Sequence, residues 1–68
     1  MGVTVSVSEL YQLAKDMLND GMDYVEVTFI EHDEDEEIPS SLNFEASKRT
    51  QSYMGIDYGF LEDISSTL

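Results

Sequence analysis

The chain has no cysteine. No disulfide can staple the fold, and no thiolate can ligate zinc or attack a substrate. That fits a reducing compartment, and the expectation is a cytoplasmic protein. Cations are nearly as scarce. Lys15, Lys48 and Arg49 face 15 Asp and Glu, for a formal charge of −12 on 68 residues. Phosphate backbones and anionic membrane surfaces are held by clustered Lys and Arg, so direct binding to nucleic acid or to a membrane is not expected. No apolar stretch approaches the roughly 18 residues of a membrane span. The opening MGVTVSVSEL has neither the basic region nor the apolar run of a secretory signal. Met1-Gly2 with Ser6 fits an N-myristoylation pattern, but the same residues read better as the start of a helix.

Histidine is limited to His32. Its acidic neighbours favour the imidazolium, and without a fixed partner it makes a poor general base. A chain this short buries only roughly 60% of its unfolded surface. That leaves no room for a cleft between two lobes. The expectation is therefore a single small domain, 1–68, that is not an enzyme and takes no cofactor.

What is present is periodic. Val7, Leu10, Ala14, Met17 and Leu18 recur at helical spacing, flanked by Tyr11 and Leu13, with polar residues opposite. This predicts an amphipathic helix over about 7–20. Ser6-Val7-Ser8-Glu9 is a capping box at its start, and Asn19-Asp20-Gly21 a stop at its end. Residues 24–31, YVEVTFIE, alternate: Val25, Val27 and Phe29 share one face, Tyr24, Glu26, Thr28 and Ile30 the other. Residues 42–47 alternate through Leu42, Phe44 and Ala46, and a third strand is expected over 53–58, after a polar turn at Ser47–Ser52. Phe60, Leu61 and Ile64 have helical spacing, which predicts a short C-terminal helical turn before a frayed end at 65–68.

The fold class is α+β, with one helix packed on a mostly antiparallel three-stranded sheet. The expected core is Val7, Leu10, Ala14, Met17, Leu18, Val25, Val27, Phe29, Leu42, Phe44, Ile56, Phe60, Leu61 and Ile64. The opposite sheet face then shows Tyr24, Ile30 and Tyr53, an apolar candidate contact surface.

Between the first two strands runs His32-Asp33-Glu34-Asp35-Glu36-Glu37. Like charges repel, so a mobile, extended loop over 32–40 is expected. As a calcium loop starting at Asp33 it fails twice. Ile38 stands where the sharp turn needs Gly, and Phe44 where the bidentate Glu belongs. Weak divalent-cation binding is one alternative. A second is nucleic-acid mimicry, in which carboxylates stand in for phosphates and block a basic DNA- or RNA-binding protein.

Residues Ser6-Val7-Ser8-Glu9-Leu10, followed by Gly21-Met22-Asp23-Tyr24-Val25-Glu26-Val27, resemble a layout of small uncharacterised bacteriophage and prophage proteins. That layout is a capped helix, a Gly/Asp turn and an Asp-x-Val-x-Val strand. The resemblance covers residues 6–30 and implies a small accessory protein, with no active site.

The expectation is then an acidic interaction or regulatory module that binds a protein partner, a basic one by charge. The candidate contact residues are Tyr24, Ile30, Glu31, Asp33, Glu34, Asp35, Glu36, Glu37 and Tyr53. A homodimer through an exposed third-strand edge is also allowed.

Overall fold

The computed structural model describes residues 2–32, 35 and 39–68. It is α+β. Helix α1 (Val7–Asn19) is followed by strands β1 (Tyr24–Ile30), β2 (Ser41–Lys48) and β3 (Gln51–Glu62), then a 3-10 turn at Ser65–Thr67. The strands form an antiparallel sheet in the order β1-β2-β3.

The helix start forms the serine half of the capping box, and the glycine stop forms in full. The Ser6 hydroxyl accepts from the Glu9 amide at 3.4 Å, and its Oγ lies 2.8 Å from the Ser8 Oγ. At the other end Gly21 takes φ +81. The Gly21 amide donates to the Leu18 carbonyl at 3.0 Å and the Met22 amide to the Met17 carbonyl at 2.9 Å. That pair of bonds is a Schellman motif, whose signature includes an apolar contact between the residue after the glycine and the last helical turn. Here the contact is Met22 with Met17, both buried.

Alternation assigns the strand faces, and the register fixes them. Val25, Val27 and Phe29 lie opposite Ala46, Phe44 and Leu42. Leu42 and Ala46 lie opposite Leu61 and Ile56. All of these share the face that receives the helix.

The hairpin between β2 and β3 is tighter than the expected polar turn at Ser47–Ser52. β2 runs to Lys48 and β3 starts at Gln51, leaving Arg49 and Thr50 as the loop. The Asp23 carboxylate accepts from the Arg49 amide at 2.8 Å, and the Asp23 amide donates to the Ser47 carbonyl at 3.0 Å. The start of β1 is thereby fastened to the far end of β2.

The expected short C-terminal helical turn is present, but at Ser65–Thr67 and not over 60–64. Phe60, Leu61 and Glu62 continue β3, and the 3-10 turn comes later. The helical spacing of Phe60, Leu61 and Ile64 has another cause, a β-bulge. Asn43 pairs with Phe60 and Glu45 with Asp57, so Tyr58 and Gly59 together face Phe44. Gly59 adopts φ +90, and its amide donates to the Asp57 carboxylate at 2.8 Å. The extra residue inverts the alternation. Leu61 then lies on the helix side with Tyr58, and Phe60 turns to the opposite side.

Nothing lies within 4 Å of where a Cβ would sit on Gly59, so an alanine there has room and only the backbone resists. Gly59→Ala is expected to cost about 1–2 kcal/mol, read as a lower urea midpoint with an unchanged slope.

The core is smaller than the sequence suggests. Met17, Met22, Phe44 and Ala46 are the buried apolar residues, with Leu13, Leu42, Tyr58 and Leu61 packed around them. Leu13 was expected to flank the helix stripe, yet it packs inward with Met17. Val7 is 82% exposed and Leu18 74%, and Leu10 and Ala14 are exposed as well. Val25, Val27, Phe29, Ile56 and Phe60, all expected inside, are about half exposed. The helix covers β2 and leaves β1 largely bare.

Candidate functional site

Three side-chain rows cross the helix-side face of the sheet. Val25, Ala46 and Ile56 form one; Val27, Phe44 and the Tyr58–Gly59 bulge the second; Phe29, Leu42 and Leu61 the third. Leu13 and Met17 of the helix rest over the middle strand, where Phe44 is 3% exposed and Ala46 is 0%. The β1 member of each row stays half exposed. Between the helix and β1 runs a shallow apolar groove of about 250 Å³, lined by Ala14, Met17, Leu18, Met22, Tyr24 and Val25, with Asp23 at its polar margin.

The opposite face carries a different set of rows. Glu26, Glu45 and Asp57 are direct cross-strand neighbours, so three acidic residues share one row of the sheet. Thr28, Asn43 and Phe60 form the next row, and Ile30, Ser41 and Glu62 the one after. The Glu45 side chain lies over Gly55, in the space a Cβ there would fill. Glycine at 55 is what lets Glu45 lie flat beside Asp57.

A larger cavity of about 470 Å³ lies at the C-terminal end of the helix, lined by Asp20, Met22, Lys48, Met54, Ile56 and Tyr58 among others. Two of its polar groups are engaged with each other. The Tyr58 hydroxyl donates to the Asp20 carboxylate at 2.6 Å, and that bond is the main reason its pKa is pushed up to about 12. A tyrosine held protonated in this way ties helix to sheet and is not primed as a nucleophile or base.

At the other end of the molecule, Asp63 accepts from the Ser65 amide and the Thr4 amide, each at 3.0 Å, and from the Ser65 hydroxyl at 2.9 Å. The Ser65 amide, then the Thr4 amide, hold its carboxyl below the usual range. The Ile64 amide donates to the Thr4 carbonyl at 2.8 Å. This cluster seats the N-terminal segment against the end of β3.

Of the residues expected to form the contact surface, only some lie among the described residues. Tyr24 and Ile30 share a face and are exposed, but they sit at opposite ends of β1, about 20 Å apart along an extended chain. Glu26 and Thr28 lie between them. Glu31 and His32 are exposed, and Asp35 is an exposed turn residue. Asp33, Glu34, Glu36 and Glu37 lie outside the described residues. Tyr53 falls within β3, with its side chain outside the described part.

Two features escaped sequence reading. One is the row Glu26–Glu45–Asp57, because the long loop at 31–40 leaves the β1–β2 register open. The other is the bareness of β1, which depends on where the helix settles. Among the described residues no group of three or more His, Asp or Glu side chains is placed to hold a metal ion. No helix among them is long and apolar enough to cross a membrane. No protein-family model, curated protein or solved structure matches this chain.

Proposed function

We propose that this chain is a small, non-enzymatic interaction or regulatory module that binds a basic protein partner in the cytoplasm, in the manner of a phage or mobile-element accessory protein. One observation carries the reading. The helix covers β2 and part of β3 on the apolar side of the sheet but not β1, leaving Val25, Val27 and Phe29 half exposed beside the apolar groove. Monomers seldom leave so large a share of their apolar side chains uncovered and contiguous. The accessible surface is 5240 Å², against roughly 4300 Å² for a compact monomer of this mass. The radius of gyration is 13.3 Å, against about 11 Å for a compact chain of this length. The charge of −12 supplies long-range attraction for a basic partner and repels a second copy.

The test is a column of immobilised chain loaded with clarified lysate at low salt and eluted on a salt gradient. A basic protein should be retained, and once purified it should rebind in solution at 1:1. Its affinity should fall steeply as salt shortens the Debye length from about 10 Å at 0.1 M to about 3 Å at 1 M. Retention indifferent to salt, or no stoichiometric rebinding, overturns the proposal.

Nucleic-acid mimicry is a second reading, and it is favoured by one observation. The carboxylates of Glu26, Glu45 and Asp57 stand on adjacent strands of one sheet, a rigid setting that a loop does not offer. It requires that DNA or RNA compete with this chain for the partner. Absence of competition removes it and leaves the first reading standing.

A further inference from the structure

We infer that the outer edge of β1 accepts an extended, basic segment of the partner as a fourth strand, with apolar and cationic side chains alternating along that segment. This rests on the interaction-module reading above and gives it a geometry.

The two edges of the sheet differ. A sheet edge is a row of unpaired N–H and C=O groups, and proteins blunt such edges with bulges, proline, inward charges or covering segments. β3 is blunted. Its pairing with β2 shifts register twice, Gly59 has positive φ, and its end is fastened to the N-terminal segment by the Ile64–Thr4 bond. β1 is not blunted. It pairs with β2 through seven consecutive partners without a break. It contains no Pro, Gly or Lys, and among the described residues no strand pairs with its outer side.

The two faces of β1 then specify the occupant. Side chains of an added strand alternate between faces just as those of β1 do. Those on the helix side would meet Val25, Val27 and Phe29 and could cover the apolar groove. Those on the other side would meet Tyr24, Glu26, Thr28 and Ile30, with Glu26 the outermost member of the row continued by Glu45 and Asp57. A strand that suits both faces has apolar residues at one parity and, at the other, Lys or Arg centred on the position opposite Glu26. A second copy of this chain does not fit. Pairing β1 with β1 would extend one acid row into another and bring two charges of −12 together.

Three synthetic peptides test this against the intact chain. The first alternates valine and lysine over ten residues. The second has the same composition in two blocks. The third repeats the first with alternate backbone nitrogens methylated, which keeps charge and side chains but removes donors along one edge. The alternating peptide should bind about tenfold or more tighter than either control, since one lacks the matching side-chain order and the other the edge donors. It should slow amide exchange in residues 24–30 and leave 51–60 unchanged. Equal binding by all three peptides overturns strand addition while leaving charge-driven recognition intact. Protection appearing along β3 overturns the choice of edge. Binding by none of the three at low salt overturns the basic-partner reading itself. Self-association of the free chain with protection of residues 24–30 would make a second copy the occupant and overturn the inference.

Discussion

Phe44→Ala is expected to leave the chain unfolded at 25 °C. Phe44 lies at the middle of the central strand, opposite Val27 on one side and the Tyr58–Gly59 bulge on the other. It is the largest of the four buried apolar side chains, at 3% exposure. Truncating a buried Phe to Ala costs about 3–5 kcal/mol. A chain of this length has a total stability of roughly 3–10 kcal/mol, at about 0.05–0.15 kcal/mol per residue. The remaining core, Met17, Met22 and Ala46, is too small to absorb the loss. Far-ultraviolet circular dichroism should show the helix signal gone or melting near room temperature. Phe60→Ala is the control. Phe60 is 58% exposed and on the opposite face, so its loss should shift the urea midpoint only slightly. Equal damage from the two substitutions would contradict the bulge that separates them.

The contrast between Phe44 and Phe60 shows where the sequence stops informing. Alternation in Tyr24–Ile30 and in Leu42–Ala46 placed each side chain on its face, because the pleat leaves no other choice once a strand forms. The Ser6 cap and Gly21 bounded the helix for equally local reasons. The bulge did not announce itself. Asp57-Tyr58-Gly59 carries its ingredients, a side chain able to accept from the Gly59 amide and a glycine able to take positive φ, but a reading that assumes unbroken alternation passes over them. Met22 was missed although its cause is local. A residue just after a helix-ending glycine is drawn back onto the last turn.

The under-covered β1 is another kind of miss. The helix has apolar residues on more than one side, Val7, Leu10, Tyr11, Leu13, Met17 and Leu18. Periodicity cannot say which two of them the sheet will choose. The sheet takes Leu13 and Met17, which centres the helix on β2 and leaves the apolar row of β1 in the open. The candidate contact surface therefore comes from tertiary placement.

Glu45→Lys is expected to stabilise the fold and weaken partner binding together. Glu45 is the middle of the row Glu26–Glu45–Asp57, with a like charge directly opposite on each flank. Each such pair is unfavourable by a fraction of a kcal/mol, and a cation at the centre turns both into attractions. Exposure and screening reduce the effect, leaving a net gain of about 0.5–1 kcal/mol at low salt. The lysine stem is long enough to lie over Gly55 as the Glu45 side chain does. In urea denaturation the midpoint should rise, and the rise should shrink at high salt. If the row exists only to keep the molecule soluble, binding of a cationic strand should be indifferent to the change. If it faces the cationic side of a strand added at β1, affinity for the alternating valine–lysine peptide should drop several-fold. The block peptide, bound by general charge, should lose much less. Opposite movement of midpoint and affinity in one variant is the signature of an acid row used in binding.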